Sequence, residues 1–161
     1  MRRLALFLAA LWWGGISALS FLAVPTLFAQ LGSPAVAGPV AAQLFSFQSY
    51  AGLLLGFGLL LILRRDRTRA RFRAPEDNTV DLAGADLARM QHSLGTMGFV
   101  LLGMLLAMVQ EFGVAQKIVT ARATGGDLGL WHSVGSLMVL GQWACSGAVL
   151  WRLSRAPAVA A

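Results

Sequence analysis

The sequence predicts an all-α fold, an antiparallel bundle of four transmembrane helices that forms one membrane domain over residues 1–161 with both termini cytoplasmic. The first indication is a run from Leu4 to Leu63 that contains no Asp, Glu, Lys, Arg or His. An uncharged run about twice as long as one membrane crossing can cross a bilayer twice. Composition agrees, since 57% of the residues are hydrophobic and 12% are charged, against about 25% charged in globular proteins.

Two further apolar runs follow, so the chain offers four segments of membrane-spanning length. Ser93–Gln110 is uncharged, and Leu128–Trp151 carries only His132. We expect spans at about 4–24, 44–63, 92–112 and 130–151, each near the twenty residues that a helix needs. Prolines and glycines predict an irregular connection between the first two spans, and residues 64–91 are expected to form a water-exposed cytoplasmic loop.

The start of the chain also has features of a signal peptide, because Arg2 and Arg3 precede an apolar run. That run reaches Val24, which is longer than the roughly 7–15 apolar residues of a typical signal peptide. We therefore expect a retained first span.

Arginine placement predicts the orientation. With four spans, eleven of the 13 Lys and Arg residues fall on the side that holds both termini, and only Lys117 and Arg122 fall on the other. The positive-inside rule makes the first side cytoplasmic, and we expect a bacterial inner membrane. A cluster in the central loop exceeds what orientation requires and should also contact anionic lipid headgroups: Arg64, Arg65, Arg67, Arg69, Arg71 and Arg73. Because the cations flank apolar runs instead of forming a basic face, nucleic-acid binding is not expected.

Small and polar residues inside the spans suggest how the helices pack. Gly52 and Gly56 fit a small-xxx-small pattern that can pack within one bundle or between two copies, so a homo-oligomer is possible. Trp12 and Trp13 lie too deep for an interfacial belt and should pack on glycines of neighbouring helices. Gln142, Cys145 and Ser146 form a polar patch in the fourth span that interhelical hydrogen bonding would explain.

Several short motifs resemble one family. Leu11-Trp12-Trp13-Gly14-Gly15 and Val24-Pro25-Thr26-Leu27-Phe28 are similar to the first span of the domain of unknown function 4149 family, whose members are related to eukaryotic transmembrane protein 205. Phe112-Gly113-Val114-Ala115 and Leu130-Trp131-His132-Ser133 resemble the end of its third span and the start of its fourth. The resemblance implies a four-span membrane protein without an established activity.

Cofactor chemistry is not expected. His92 opens the third predicted span and His132 the fourth, so a helix length of about 30 Å separates them and one metal or haem iron cannot bind both. The single Cys145 excludes an intramolecular disulfide. The sequence also lacks phosphate-binding glycine loops, nucleophile elbows and His-Glu-x-x-His motifs, so neither catalytic residues nor a metal site are predicted.

One polar cluster is a candidate site. The predicted topology brings Glu111 and His132 to the outer ends of neighbouring spans, with Gln48 and Gln110 at similar depth. Ionisable groups within membrane proteins tend to mark function. The cluster can cap helices and fix packing, or it can bind a small ligand or cation.

Three function classes remain open on the sequence alone. The first is a non-enzymatic structural or partner-binding membrane component, which the missing catalytic motifs favour. The second is a small carrier or ligand-binding protein that uses Glu111 and His132. The third, a haem or redox enzyme, is disfavoured by the histidine separation. A faint similarity between Phe21–Leu27 and Phe112–Ile118 also hints at a duplicated helical hairpin.

Overall fold

A computed structural model describes residues 2–73 and 80–155, with side chains described for 2–68 and 90–155. These residues are helical apart from short links at 32–33 and 125–127. Six α-helices follow one another: α1 (Arg2–Ala18), α2 (Val24–Leu31), α3 (Pro34–Arg73), α4 (Val80–Val109), α5 (Ala115–Thr124) and α6 (Leu128–Arg155). Two π-helical segments, Leu19–Ala23 and Gln110–Val114, join α1 to α2 and α4 to α5 without a break.

Four continuous helical stretches of the described chain are long and apolar enough to cross a membrane, as the sequence predicted. We name them span 1 (Arg2–Leu31), span 2 (Pro34–Thr68), span 3 (Met90–Thr124) and span 4 (Leu128–Arg155). They extend beyond the expected boundaries at several ends, because helix formation continues where hydropathy falls. The helices are therefore longer than the expected membrane crossings, and the boundaries of the crossings themselves stay predictions.

The connection between spans 1 and 2 differs from the expected irregular segment. Only Gly32 and Ser33 are non-helical, and Gly32 ends α2 with a left-handed φ of 63°. Pro34 begins α3 at the first helical position, where its missing N–H costs no hydrogen bond. Pro39 lies inside α3, where it leaves the carbonyl of Ala35 without its usual helical donor. Pro34 thus begins the helix, and Pro39 weakens the helix locally without ending it.

The segment expected as a cytoplasmic loop, residues 64–91, is also largely helical where it is described. Helix α3 continues to Arg73 and α4 begins at Val80, while residues 74–79 lie outside the described part. Arginine is a good helix former, and positive charge near a helix C-terminus interacts favourably with the helix dipole. The charged sequence therefore extends span 2 as a helix.

Each span packs most extensively on two neighbours. Helix α1 packs on α3 and α6, and α4 packs on the same two helices. The buried core draws on all four spans, with Trp12 and Ile16 from span 1, Leu59 from span 2, Val100 from span 3 and Val149 from span 4. Many large apolar side chains remain exposed on the outside, as expected for a lipid-facing surface.

The first π-helical segment has a local cause. Pro25 cannot donate a hydrogen bond to the carbonyl four residues earlier, and its ring would clash with that carbonyl in a regular α-helix. The backbone widens instead, so that the N–H of Val24 donates to the carbonyl of Leu19, five residues back. The second segment begins at Gln110, which is buried, and includes Glu111.

Candidate functional site

Three glutamines from three spans meet in the interior. Gln142 Nε2 donates to Gln110 Oε1 at 2.6 Å, and Gln48 Nε2 donates to Gln142 Oε1 at 3.5 Å. Gln142 is fully buried and Gln110 is 8% exposed. The interhelical hydrogen bonding predicted for Gln142 is therefore confirmed. We call Gln48, Gln110 and Gln142 the glutamine cluster.

The glutamine cluster lies far from the ends of its helices. Gln48 and Gln142 each follow the start of their helix by fourteen residues, and Gln110 precedes the end of α5 by the same number. At about 1.5 Å per residue, each lies about 21 Å along the axis from its helix end. The three side chains therefore meet well inside the bundle of helices.

Polar atoms near the cluster lack protein partners. Among the described side chains, Gln48 Oε1, Ser49 Oγ and Trp12 Nε1 are buried without a hydrogen bond. Ser49 is fully buried, and the Trp12 indole nitrogen packs against Gly52, one turn along the same helix face as Gln48. Buried polar groups normally have a protein or water partner. These atoms are one acceptor and two donors whose hydrogen-bonding capacity is not met by the protein.

Glu111 and His132 are placed differently from the glutamines. Glu111 is half-buried in the second π-helical segment, and His132 is exposed near the start of α6. No hydrogen bond or ion pair joins them among the hydrogen bonds of the described residues, whereas Gln48 and Gln110 are linked through Gln142. A ligand site built on Glu111 and His132 therefore stays a prediction.

Span 4 bonds to span 3 a second time through Arg152. Its Nε donates to Thr96 Oγ1 at 3.0 Å, and its Nη2 donates to the His92 carbonyl at 2.9 Å. Because Arg152 lies twenty residues beyond His132 on α6, His92 and His132 are about 30 Å apart. The predicted separation of the histidines is confirmed. Across the described residues, no group of three His, Cys, Asp or Glu side chains is arranged to hold a metal.

Span 4 also bonds to span 1 at two levels. Trp143 Nε1 donates to Ser17 Oγ at 2.9 Å, and the Ser17 hydroxyl donates to the Trp13 carbonyl. Near the chain ends, Arg2 Nη2 donates to the Ser154 carbonyl at 3.0 Å. Span 4 is thus hydrogen-bonded to each of the other three spans.

The inner tryptophans pack on glycines, as predicted. A Cβ atom added to Gly52 would lie 2.9 Å from Trp12 Nε1, and one added to Gly103 would lie 3.0 Å from the same ring. Gly56 faces Met104 of span 3, and Gly147 faces the Trp13 ring. The Gly52–Gly56 pair therefore packs within the bundle.

An open groove of about 470 Å³ runs between spans 1 and 4. Its lining is aromatic and apolar, with Trp13, Trp143 and Trp151 on its walls and Ser154 at one end. The Trp13 and Trp143 ring centroids are 5.9 Å apart, and Arg155 lies 3.8 Å from the centroid of Trp151. We call this the tryptophan groove. The sequence analysis did not find it, because nothing in the sequence indicates that Trp13 of span 1 lies beside Trp143 and Trp151 of span 4.

The arginines predicted to meet anionic lipid are only partly within the described side chains. Arg64 and Arg65 are exposed, and Arg64 and Arg67 line a shallow depression with Thr68 and Met97. Arg69, Arg71 and Arg73 have side chains outside the described set. Headgroup binding by this cluster remains a prediction.

Comparison with known proteins agrees with the motifs. No curated protein and no solved structure matches the chain significantly. The model of a protein family described as "Domain of unknown function (DUF4149)" matches residues 7–127, which is well over half of the chain and covers the first three spans. The chain therefore belongs to the DUF4149 family.

Proposed function

We propose that this protein is a non-enzymatic component of a bacterial inner membrane that binds a partner protein within the bilayer. Its spans alternate in direction, with both termini and the arginine-rich segment in the cytoplasm. The positive-inside distribution of Lys and Arg supports this orientation, and the Arg2–Ser154 hydrogen bond supports placing both ends on one side. The proposal includes a relation to eukaryotic transmembrane protein 205, which rests on the motif resemblance.

One observation carries the proposal, namely that span 4 is hydrogen-bonded to all three other spans. Gln142 reaches spans 2 and 3, Arg152 reaches span 3, and Trp143 reaches span 1. In water the hydrophobic effect drives helices together, but in lipid this driving force is absent. Interhelical hydrogen bonds and close packing hold membrane helices together instead. The polar side chains of span 4 are thus used for assembly, and the exposed apolar faces are left to meet other molecules.

Photo-crosslinking in native membranes tests this proposal. A photoreactive amino acid replaces one lipid-facing residue at a time, at Leu54 (72% exposed), Phe112 (61%) and Leu137 (64%), which lie on spans 2, 3 and 4. We expect a discrete protein adduct from one face, with the other positions serving as matched controls. Lipid adducts alone, from all three positions, would contradict a protein partner.

A second function, binding of a small polar ligand or cation, is favoured by the unpartnered atoms near the glutamine cluster. Gln48 Oε1 is a buried acceptor, and Ser49 Oγ and Trp12 Nε1 are buried donors. Binding would stabilise the folded protein by mass action. A thermal-shift screen of monovalent cations and small polar solutes should find a ligand whose effect disappears in Gln48→Leu but persists in Glu111→Gln. If Glu111→Gln abolishes the effect instead, the site lies at Glu111 and His132.

A further inference from the structure

The tryptophan groove has the length of one lipid chain. It extends from Trp143 to Ser154 along α6, eleven residues that cover about 16 Å at 1.5 Å per residue. One leaflet of the hydrocarbon core is about 15 Å thick, half of the roughly 30 Å of the whole. Its volume of about 470 Å³ falls within the usual range of ligand sites, about 300–1,000 Å³. The groove is therefore long enough to reach from the bilayer centre to one interface.

Positive charge is concentrated at the interfacial end of the groove. Arg155 follows Ser154 in the chain and stacks on the Trp151 ring that lines the groove. Arg2 reaches the same end through its bond to the Ser154 carbonyl, and its Nε is buried without a protein acceptor among the described residues. Arginine donors suit phosphate oxygens, which accept several N–H bonds at once.

We propose that the tryptophan groove binds one anionic phospholipid, with an acyl chain between Trp13 and Trp143 and the phosphate against Arg2 and Arg155. The pairing of an apolar trough with a cationic end matches a lipid with a negatively charged headgroup. A protein helix would leave the arginines without a counter-charge. The proposed orientation of the chain would place this lipid in the cytoplasmic leaflet. The proposed lipid site does not otherwise depend on that orientation.

Tryptophan quenching by lipids with brominated acyl chains tests the proposal. The full chain is placed in nanodiscs of unlabelled zwitterionic lipid with increasing mole fractions of brominated phosphatidylglycerol or brominated phosphatidylcholine. We expect half-quenching at a lower mole fraction for phosphatidylglycerol, by about fivefold for each contributing arginine. Arg155→Gln and Arg2→Gln should each remove about that factor.

Two matched controls separate a specific site from general attraction. Arg122→Gln removes the same charge from an exposed arginine of span 3, at the opposite end of the bundle from Ser154, and should leave the preference unchanged. Ala144→Leu adds bulk to the groove wall and should weaken quenching by both lipids, whereas Ala51→Leu, on an exposed position of span 2, should not. Protection of the buried Cys145 from thiol reagents confirms that each variant is folded. If Arg2→Gln does not fold, Arg155→Gln alone still tests the role of positive charge at the end of the groove.

Several results would overturn the proposal. Equal quenching by both lipids would make the groove part of the ordinary lipid shell. An equal loss of the preference in Arg122→Gln would show that it comes from the overall positive charge and not from the groove. Stronger quenching by both lipids after deletion of residues 156–161 would assign the groove to the chain's own end. A disulfide between two Ala144→Cys chains in native membranes would assign it to a second copy. None of these depends on whether the photo-crosslinking finds a protein partner.

Discussion

Trp12 shows how single residues hold this bundle together. Its ring is 2% exposed and lies against glycines of two other spans, Gly52 and Gly103. Membrane helices approach closely where side chains are small, so one large ring from span 1 fills the space that the glycines leave. This packing depends both on the large Trp12 ring and on the absence of side chains at the two glycines.

Replacing Gly52 with alanine should therefore destabilise the protein. The new Cβ would lie 2.9 Å from Trp12 Nε1 in a buried site, and overpacking of this kind costs about 1–3 kcal/mol. Gly98 is the matched control, because it lies in a helix with nothing within 4 Å of an added Cβ. Gly98→Ala should be neutral or stabilising by up to about 1 kcal/mol. Unfolding in mixed micelles with increasing SDS measures both, and equal effects would contradict the packing described.

The glutamine cluster gives a second prediction at this scale. Gln142→Leu removes the 2.6 Å bond to Gln110 and leaves the Gln110 and Gln48 amides short of partners. Interhelical hydrogen bonds in membranes contribute about 0.6 kcal/mol on average and up to about 1.7, so we expect a loss toward the upper figure. Ser136→Ala removes an exposed hydroxyl from the same helix and should have no effect. An unchanged stability of Gln142→Leu would show that the cluster does not hold the spans together.

The sequence predicted the packing partner of a residue where the composition of the spans leaves few alternatives. Inner tryptophans in a glycine-rich chain were expected to pack on glycines, and Gln142 was expected to bond to a neighbouring span. The direct link between Gln142 and Gln110 could not be predicted, because it depends on helix rotation and on the π-helical segment at Gln110. The available sequence signal is that each of these apolar runs contains a glutamine, but that signal does not identify the partners.

At the scale of elements, α6 begins with a defined cap. Gly125 ends α5 with a left-handed φ of 75°, and Asp127 Oδ1 accepts from the Leu130 N–H at 2.9 Å. A glycine after one helix and an aspartate before the next make a tight turn between spans 3 and 4. The turn fixes where span 4 starts, and thus the depth of Gln142.

Asp127→Ala should destabilise α6 by about 0.5–2 kcal/mol, the usual effect of losing an N-cap. Asp127→Asn keeps an accepting oxygen at the same place and should restore most of the loss. Thermal unfolding in detergent measures all three proteins. If the asparagine variant is as unstable as the alanine variant, the carboxylate acts through its charge and not as a cap.

The number of helical spans was predictable, and their ends were not. Hydropathy identifies apolar runs, but α3 begins at Pro34 and continues through the arginines after Leu63, because its backbone hydrogen bonds do not depend on side-chain polarity. The two π-helical segments, Leu19–Ala23 and Gln110–Val114, have no strong sequence signal apart from Pro25. They do occupy corresponding places in spans 1 and 3, near the two stretches whose faint similarity hinted at duplication.

Over the whole molecule, Cys145 reports whether the bundle is closed. It is 6% exposed on span 4, and burial of a thiol slows its reaction with alkylating reagents. We expect labelling of Cys145 at the rate of global unfolding in the native protein, and faster labelling in Gln142→Leu and Gly52→Ala. Rapid labelling of the folded wild-type chain would show that spans 1, 3 and 4 separate easily around this position.

The membrane character of the whole chain was the part most accessible from sequence. Long uncharged runs predicted four helices of spanning length because hydrocarbon excludes charge and leaves backbone groups to bond within each helix. Which spans touch, and which polar residues meet between them, depends on side-chain shape and could only be read from the structure.

Cysteine accessibility in a Cys145→Ser background tests the central account most directly. Single cysteines replace Ser33 and Thr124 at the two short links, and Thr68 and Ser154 near the arginine-rich ends. With a membrane-impermeant maleimide on intact spheroplasts, we predict labelling of Ser33→Cys and Thr124→Cys, and labelling of Thr68→Cys and Ser154→Cys only after permeabilisation. External labelling of Ser154→Cys together with protection of Thr124→Cys would contradict four crossings with both ends in the cytoplasm.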